Sequence, residues 1–133
     1  MKIRSIETFS TERLSIVRVR TDDGSEGYGQ IAPYHADISA TVLHRQDAPH
    51  VLNEDAENIA ELVEKCITAE HKFPGSYICR AVGGLDTALW DLHGKRAGKS
   101  VCELIGGTPR PLPVYGSSMQ RNISPEDEAA RLK

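Results

Sequence analysis

No apolar run in the 133 residues approaches the ~20 needed to span a bilayer. Met1-Lys2-Ile3 passes at once to Arg4, Ser5 and Glu7, so there is no stretch of secretory type either, and a cytoplasmic protein is expected. Charge of one sign is also missing: the formal net charge is -3, and Lys and Arg are scattered among Asp and Glu. Without a basic stripe a run of phosphates cannot be neutralised, which argues against nucleic-acid binding. The three cysteines, Cys66, Cys79 and Cys102, include no Cys-x-x-Cys pair, and the odd count disfavours a closed disulfide framework. Reduced thiols packed among apolar neighbours are expected instead. The five histidines, at 35, 44, 50, 71 and 93, lack the spacing of zinc ligands, so no metal site is expected within the chain.

What is present fits a globular protein: 39% hydrophobic and 26% charged residues, in a length that suits one ordinary domain. Ile3 to Phe9 and the alternating Leu14 to Thr21 read as strands. Thr21-Asp22-Asp23-Gly24-Ser25 is a turn, returning the chain into a third antiparallel strand, Glu26 to Ile31. Gly27 and Gly29 flank Tyr28 in that strand and suggest either a bulge or the close approach of another backbone, if the strand is not simply a weak one.

Helical periodicity takes over after Pro33. Asp37 is a plausible cap for a helix to about Gln46, and Asn53 or Asp55 for a second whose apolar face is Ile59, Leu62, Val63, Cys66 and Ile67. Phe73-Pro74-Gly75 breaks the chain before a long helix from about Tyr77 to Ala97, with Ile78, Ala81, Val82, Leu85, Ala88, Leu89 and Leu92 facing inward. Asp86 and Asp91 lie about 140° apart on it, too far round for an acid-base pair, and read as structural carboxylates. Trp90 reads as a packing anchor. Gly98 ends the helix, Ser100 caps a short one, and Gly106-Gly107 stops that in turn. Pro109, Pro111 and Pro113 then hold an extended linker leading to a short strand at Val114-Tyr115-Gly116, which places a domain boundary near Thr108. Ser124-Pro125-Glu126-Asp127 is a strong helix start with only about two turns after it, so the chain is expected to be part of a longer protein.

The stretch from Ala81 through Gly83-Gly84-Leu85-Asp86-Thr87-Ala88-Leu89-Trp90-Asp91-Leu92 to Lys95, continuing to Leu104-Ile105-Gly106-Gly107, closely resembles the signature of the mandelate racemase/muconate lactonizing family of the enolase superfamily. The likeness extends to Ile3-Arg4-Ser5-Ile6-Glu7, to Thr21-Asp22-Asp23-Gly24 with Gly27-Tyr28-Gly29, and to Pro113-Val114-Tyr115, nearly the whole chain. It implies an α+β capping domain at 1–108, a three-stranded antiparallel sheet plus helices. Residues 109–133 would then be the linker and the first strand and helix of a TIM-type barrel that takes about 250 residues when whole.

The resemblance also implies a chemistry: Mg2+ holds a substrate carboxylate and stabilises the ene-diolate formed when a Lys or His base removes the α-proton. The family's bases and metal ligands stand on later barrel strands, so no catalytic residue and no metal ligand is assigned in this chain. The cap would instead supply two loops that close over the barrel mouth, placing Arg13 in the first and Tyr34 and His35 in the second as candidate substrate contacts. Ser117 and Ser118, at the end of the first barrel strand, could reach substrate or merely form a turn. A short first loop leaves room for a long polar substrate, so acid-sugar dehydration leads, with a racemase, epimerase or cycloisomerase as the alternative. The whole enzyme is expected to be a homo-oligomer, and these residues alone inactive. The reading from another class is a complete, non-catalytic binding or oligomerisation module.

Overall fold

A computed structural model describes residues 1–115 and 122–132. Three strands, β1 (Ile3–Ser10), β2 (Ser15–Thr21) and β3 (Glu26–Ile31), form an antiparallel sheet in the order β1-β2-β3. The anticipated turn joins β2 to β3: Thr21 N–H donates to Ser25 O at 3.0 Å, Gly24 takes φ 84°, and Asp23 Oδ1 accepts from the Thr21 hydroxyl and the Ser25 N–H. Alternation along β2 sends Val17 and Val19 inward to zero exposure, while Arg18 and Arg20 pair outward with Glu7 and Glu26 at 2.6 and 3.1 Å.

The inner face is covered by α4 (Ser76–Ala97), and all seven apolar residues expected to face inward are buried. Helix and strand meet at backbone distance. A Cβ on Gly27 would stand 2.1 Å from Ala88 O, and one on Gly29 2.1 Å from Gly84 O, so the two strand glycines mark a close approach rather than a bulge. Asp91 accepts from the outward N–H of Tyr28 at 2.7 Å and thereby satisfies a donor on the free edge of β3.

Two of the expected helix starts are displaced, each because tertiary hydrogen bonds take the backbone that local capping would use. The first helix is α1 (Ala36–Val42), capped by His35, with Asp37 inside its first turn. It does not stop at Gln46. It widens into a π-helical turn (Leu43–Asp47) and resumes as α2 (Ala48–Val51). Pro49 accounts for the widening, because its ring lacks an N–H and would collide with a carbonyl four residues back. The next helix, α3 (Ile59–Ala69), starts from Asn58, not from Asn53 or Asp55. Residues 53–55 are bonded sideways to β1 instead: Asn53 N–H to Ile3 O at 2.8 Å, Ile3 N–H to Glu54 O at 3.0 Å, and a bridge between Lys2 and Asp55.

On the face of α3, Ile59, Leu62 and Cys66 are buried, whereas Ile67 is half exposed. Cys66 is the one cysteine packed as expected, and burial pushes its thiol up to about 12; Cys79 is exposed and Cys102 half-buried. Trp90 packs against the core. A short α5 (Val101–Leu104) follows, closed by a Ser100–Glu103 capping box. Residues 105–115 hold no further helix or strand; Val114 and Tyr115, expected to enter a strand, have no strand partner and are 90% and 88% exposed. The last helix, α6 (Pro125–Arg131), starts as expected, with the Ser124 hydroxyl accepting from Asp127 N–H at 3.1 Å.

Candidate functional site

The register of the sheet decides where the candidate loops lie. Ser10 is opposite Ser15, and Ser15 is opposite Ile31, so the turn between β1 and β2 and the exit from β3 emerge at one end of the sheet. The first loop, residues 11–14, is a tight turn in which Thr11 N–H donates to Leu14 O at 2.6 Å and Leu14 N–H to Thr11 Oγ1 at 3.1 Å. The second, residues 32–35, carries Tyr34 and His35 with φ 65° and 56°. Left-handed backbone is unfavourable for both side chains, so this segment is held by its surroundings.

Ala36 N–H reaches across to Glu12 O at 2.8 Å, joining the second loop to the first. The Arg80 guanidinium, on the second turn of α4, donates to Tyr34 O at 3.0 Å, and the Ser39 hydroxyl donates to His35 O at 3.3 Å. Arg13, Tyr34 and His35 are exposed and are thus brought onto neighbouring loops by different parts of the chain. Beside them an open recess of about 450 Å3 runs between β3 and α4, lined by Gln30, Ala32, Ser76, Cys79, Arg80 and Gly83. Arg80 stacks on Tyr77, 5.5 Å from the ring centroid. Sequence reading did not single it out. Its only sequence signal is an aromatic residue three positions earlier on a helix, and nothing local points to Tyr34 O, 46 residues away.

This end of the domain can donate hydrogen bonds and cover a surface. Among the described residues no three His, Cys, Asp or Glu side chains converge as metal ligands. Ser117 and Ser118 lie outside the described residues. Asp86 and Asp91 are both structural: Asp91 holds the β3 edge and pairs with Lys95 at 2.7 Å, and partial burial raises Asp86 against a Trp90 hydrogen bond that lowers it. Among the described residues, no helix is long and apolar enough to cross a membrane.

Residues 2–106 match the family model for the mandelate racemase/muconate lactonizing enzyme N-terminal domain. A D-galactonate dehydratase family member from Paenibacillus sp. (strain JDR-2) is 34% identical over 129 residues, 92% of this chain and 32% of that protein. An arabinonate dehydratase from Saccharolobus solfataricus is 36% identical over 99 residues, 73% of this chain and 26% of that one. Among solved structures, a Roseobacter denitrificans protein provisionally described as a racemase superimposes with a TM-score of 0.92 at 53% identity, covering 99% of this chain and 36% of its own. A racemase from Streptomyces coelicolor A3(2), crystallised with magnesium, gives a TM-score of 0.88 at 26% identity over 98% of this chain and 41% of its own. The chain thus spans about a third or less of the curated relatives it matches, 32% and 26% of these two. The sheet, the covering helix and the matched residues place the chain in the mandelate racemase/muconate lactonizing enzyme family of the enolase superfamily, as its N-terminal capping domain.

Proposed function

We propose that this chain is the cap of a Mg2+-dependent lyase that removes water from an acid sugar, residues 1–108 forming the cap and 109–133 leading into a barrel. The observation that carries this reading is the likeness to dehydratases of sugar acids along most of the chain, 34% over 129 residues in one case. The junction of the two loops through Ala36 and Glu12 supports the cap's part in it. Coupled loops cover a substrate as one surface and exclude water from it. The Arg13 guanidinium, the Tyr34 hydroxyl and the His35 ring are the groups that would meet the substrate's hydroxyls and carboxylate. The described residues do not fit a Mg2+ site; when bound by the whole enzyme, the ion would neutralise the carboxylate whose α-proton is removed.

A second reading, racemisation or epimerisation of a smaller carboxylate, is favoured by the 53% identity to the Roseobacter denitrificans protein. One experiment separates the two. The whole protein is incubated with Mg2+ and a panel of acid sugars and simple 2-hydroxy acids in deuterium oxide. Formation of a 2-keto-3-deoxy acid, abolished by EDTA, is expected. Deuterium at the α-carbon of a retained substrate would favour the second reading, and neither change across the panel would sink both. If the loops touch substrate, Arg13→Met and Tyr34→Phe raise KM by about tenfold and leave kcat within about threefold.

A further inference from the structure

We infer that Arg80 is a positioning residue that locks the two cap loops into one unit; the inference deepens the reading of those loops as a substrate cover and rests on it. The second loop cannot hold its own shape. Tyr34 and His35 sit consecutively at φ 65° and 56°, a conformation that is unfavourable for a bulky non-glycine residue. The backbone must therefore be tied down on both sides. On the outer side is the Ala36 N–H bond to Glu12 O at 2.8 Å. On the inner side, across the recess, is the Arg80 bond to Tyr34 O at 3.0 Å.

Ser39 adds a tie from within α1, its N–H and hydroxyl donating to His35 O at 3.1 and 3.3 Å, and the two ties that reach other elements are unequal. Ala36, buried at the start of α1, bonds to a loop that is itself exposed, and so ties the end of the segment without holding the Tyr34 carbonyl. Arg80 is anchored in α4, whose buried face is fixed against the sheet by Leu85, Leu89 and Leu92, each with no exposure. The stacking of its guanidinium on Tyr77 at 5.5 Å fixes the side chain before it reaches the carbonyl, so little freedom is lost in making the bond. The described residues give Arg80 no carboxylate partner, which leaves its charge to the Tyr34 carbonyl and the recess. The left-handed turn follows from this arrangement. It aims Tyr34 O back toward α4, while Ala36 N–H, two residues later, points to Glu12. Loss of the Arg80 bond should free loop 32–35 and, through Glu12, loosen loop 11–14.

The test uses the whole protein with Arg80→Met, which keeps the apolar stem without a donor, and Arg80→Lys, which keeps a donor. Hydrogen exchange is read at Ala36 and Ser39 and, as reference, at core amides of β2. Arg80→Met is expected to speed exchange at Ala36 about tenfold, with the β2 amides unchanged and Arg80→Lys within about threefold of the native protein. For an acid sugar that the native protein dehydrates, Arg80→Met should raise KM about tenfold with the larger part of the loss in KM. Unchanged exchange at Ala36, or an equal rise at Ala36 and in β2, would overturn the inference. Exchange is measured without substrate, so absence of dehydratase activity would defeat the functional reading alone, and unchanged exchange in an active enzyme would defeat the clamp alone.

Discussion

At its C-terminal end α4 stops at Gly98, whose φ of 62° turns the chain so that Lys99 N–H reaches Gly94 O at 3.0 Å. Arg96 there bonds Asp23 and, at 3.1 Å, the Ser25 hydroxyl, and Lys95 lies 4.6 Å over the Tyr28 ring while pairing with Asp91. At its N-terminal end α4 starts from Gly75 with no side-chain cap, exposes Phe73 and Cys79, and touches the neighbouring loop through one guanidinium. One helix thus has an end braced by several side-chain bonds over the β2–β3 turn and a more sparsely bonded end, packed through Ile78, Ala81 and Val82, beside strained loops. Segments that move or bind come from the less stable parts of a fold, and the asymmetry marks which end of this domain is free to do so.

The comparison breaks most completely if α4 is lifted from the sheet, since both ends are referred to that contact. A side chain on Gly29 would meet Gly84 O, a backbone atom that cannot step aside without moving the helix. Gly29→Val is expected to cost about 3 kcal/mol or more, read as a fall in the urea midpoint, because the overlap is with backbone and not with a flexible side chain.

A second weakness lies in the π-helical turn. Asp47 is fully buried, and among the described residues neither carboxylate oxygen has a hydrogen-bond partner. Burial, and then the negative charge of Glu70, raise its pKa from 3.8 to about 7. The Cys66 thiol on α3, itself raised to about 12, also faces it and stays neutral. The sign follows from proton counting: between about 4 and 7 the folded state binds a proton that the unfolded chain has released, so stability falls as pH rises through that window. Asp47→Asn should flatten this slope and make the protein more stable above pH 7, by about 2 kcal/mol, as read by thermal unfolding at pH 5 and pH 8. Glu7, Asp23, Glu26 and Glu54 are held low by hydrogen bonds and nearby cations, so their contribution is lost in the opposite direction, as pH falls through the carboxylate range.

Local patterns in the sequence carry some of this architecture and long-range contacts carry the rest. The inward face of α4 is legible because it is a repeat of period 3.6 whose spacing states its geometry, whereas the two glycines of β3 leave a bulge, a close approach and a weak strand open until α4 is seen against them. The Ser100 and Ser124 caps are legible because capping is local. Starts at Asp37 and at Asn53 or Asp55 fail for the opposite reason: residues 53–55 bond to β1, and Ala36 bonds to Glu12, over sequence distances that no local pattern encodes. Asp47 and Arg80 are invisible for the same cause. Each looks like an ordinary surface charge on a helix until the packing of other elements buries one and aims the other at a carbonyl. The candidate loops follow the first and third strands, which sequence order states, but the bonds from Arg80 and Glu12 that hold them are long-range and have no local signal.

At the braced end, Gly98 is a matched residue in a left-handed position, so Gly98→Ala should cost about 1 kcal/mol even though a Cβ there meets nothing within 4 Å. The more sparsely bonded end should respond with the reverse sign. His35 occupies the same region of backbone space, φ 56° and ψ 43°, without being glycine. Replacing it by glycine removes the steric cost of the left-handed turn but adds freedom to the unfolded chain, so the two effects oppose and the first is only slightly larger. His35→Gly is therefore expected to raise stability by about 0.5 kcal/mol, the smallest effect considered, measured as a small upward shift in urea midpoint. If it instead lowered stability by as much as Gly98→Ala does, the His35 ring would be contributing to the fold and the two ends of α4 would be less different than their hydrogen bonds suggest. If stability rose while KM for an acid sugar also rose, the imidazole would be kept in a strained turn for substrate, since its removal would relieve the backbone and cost the site.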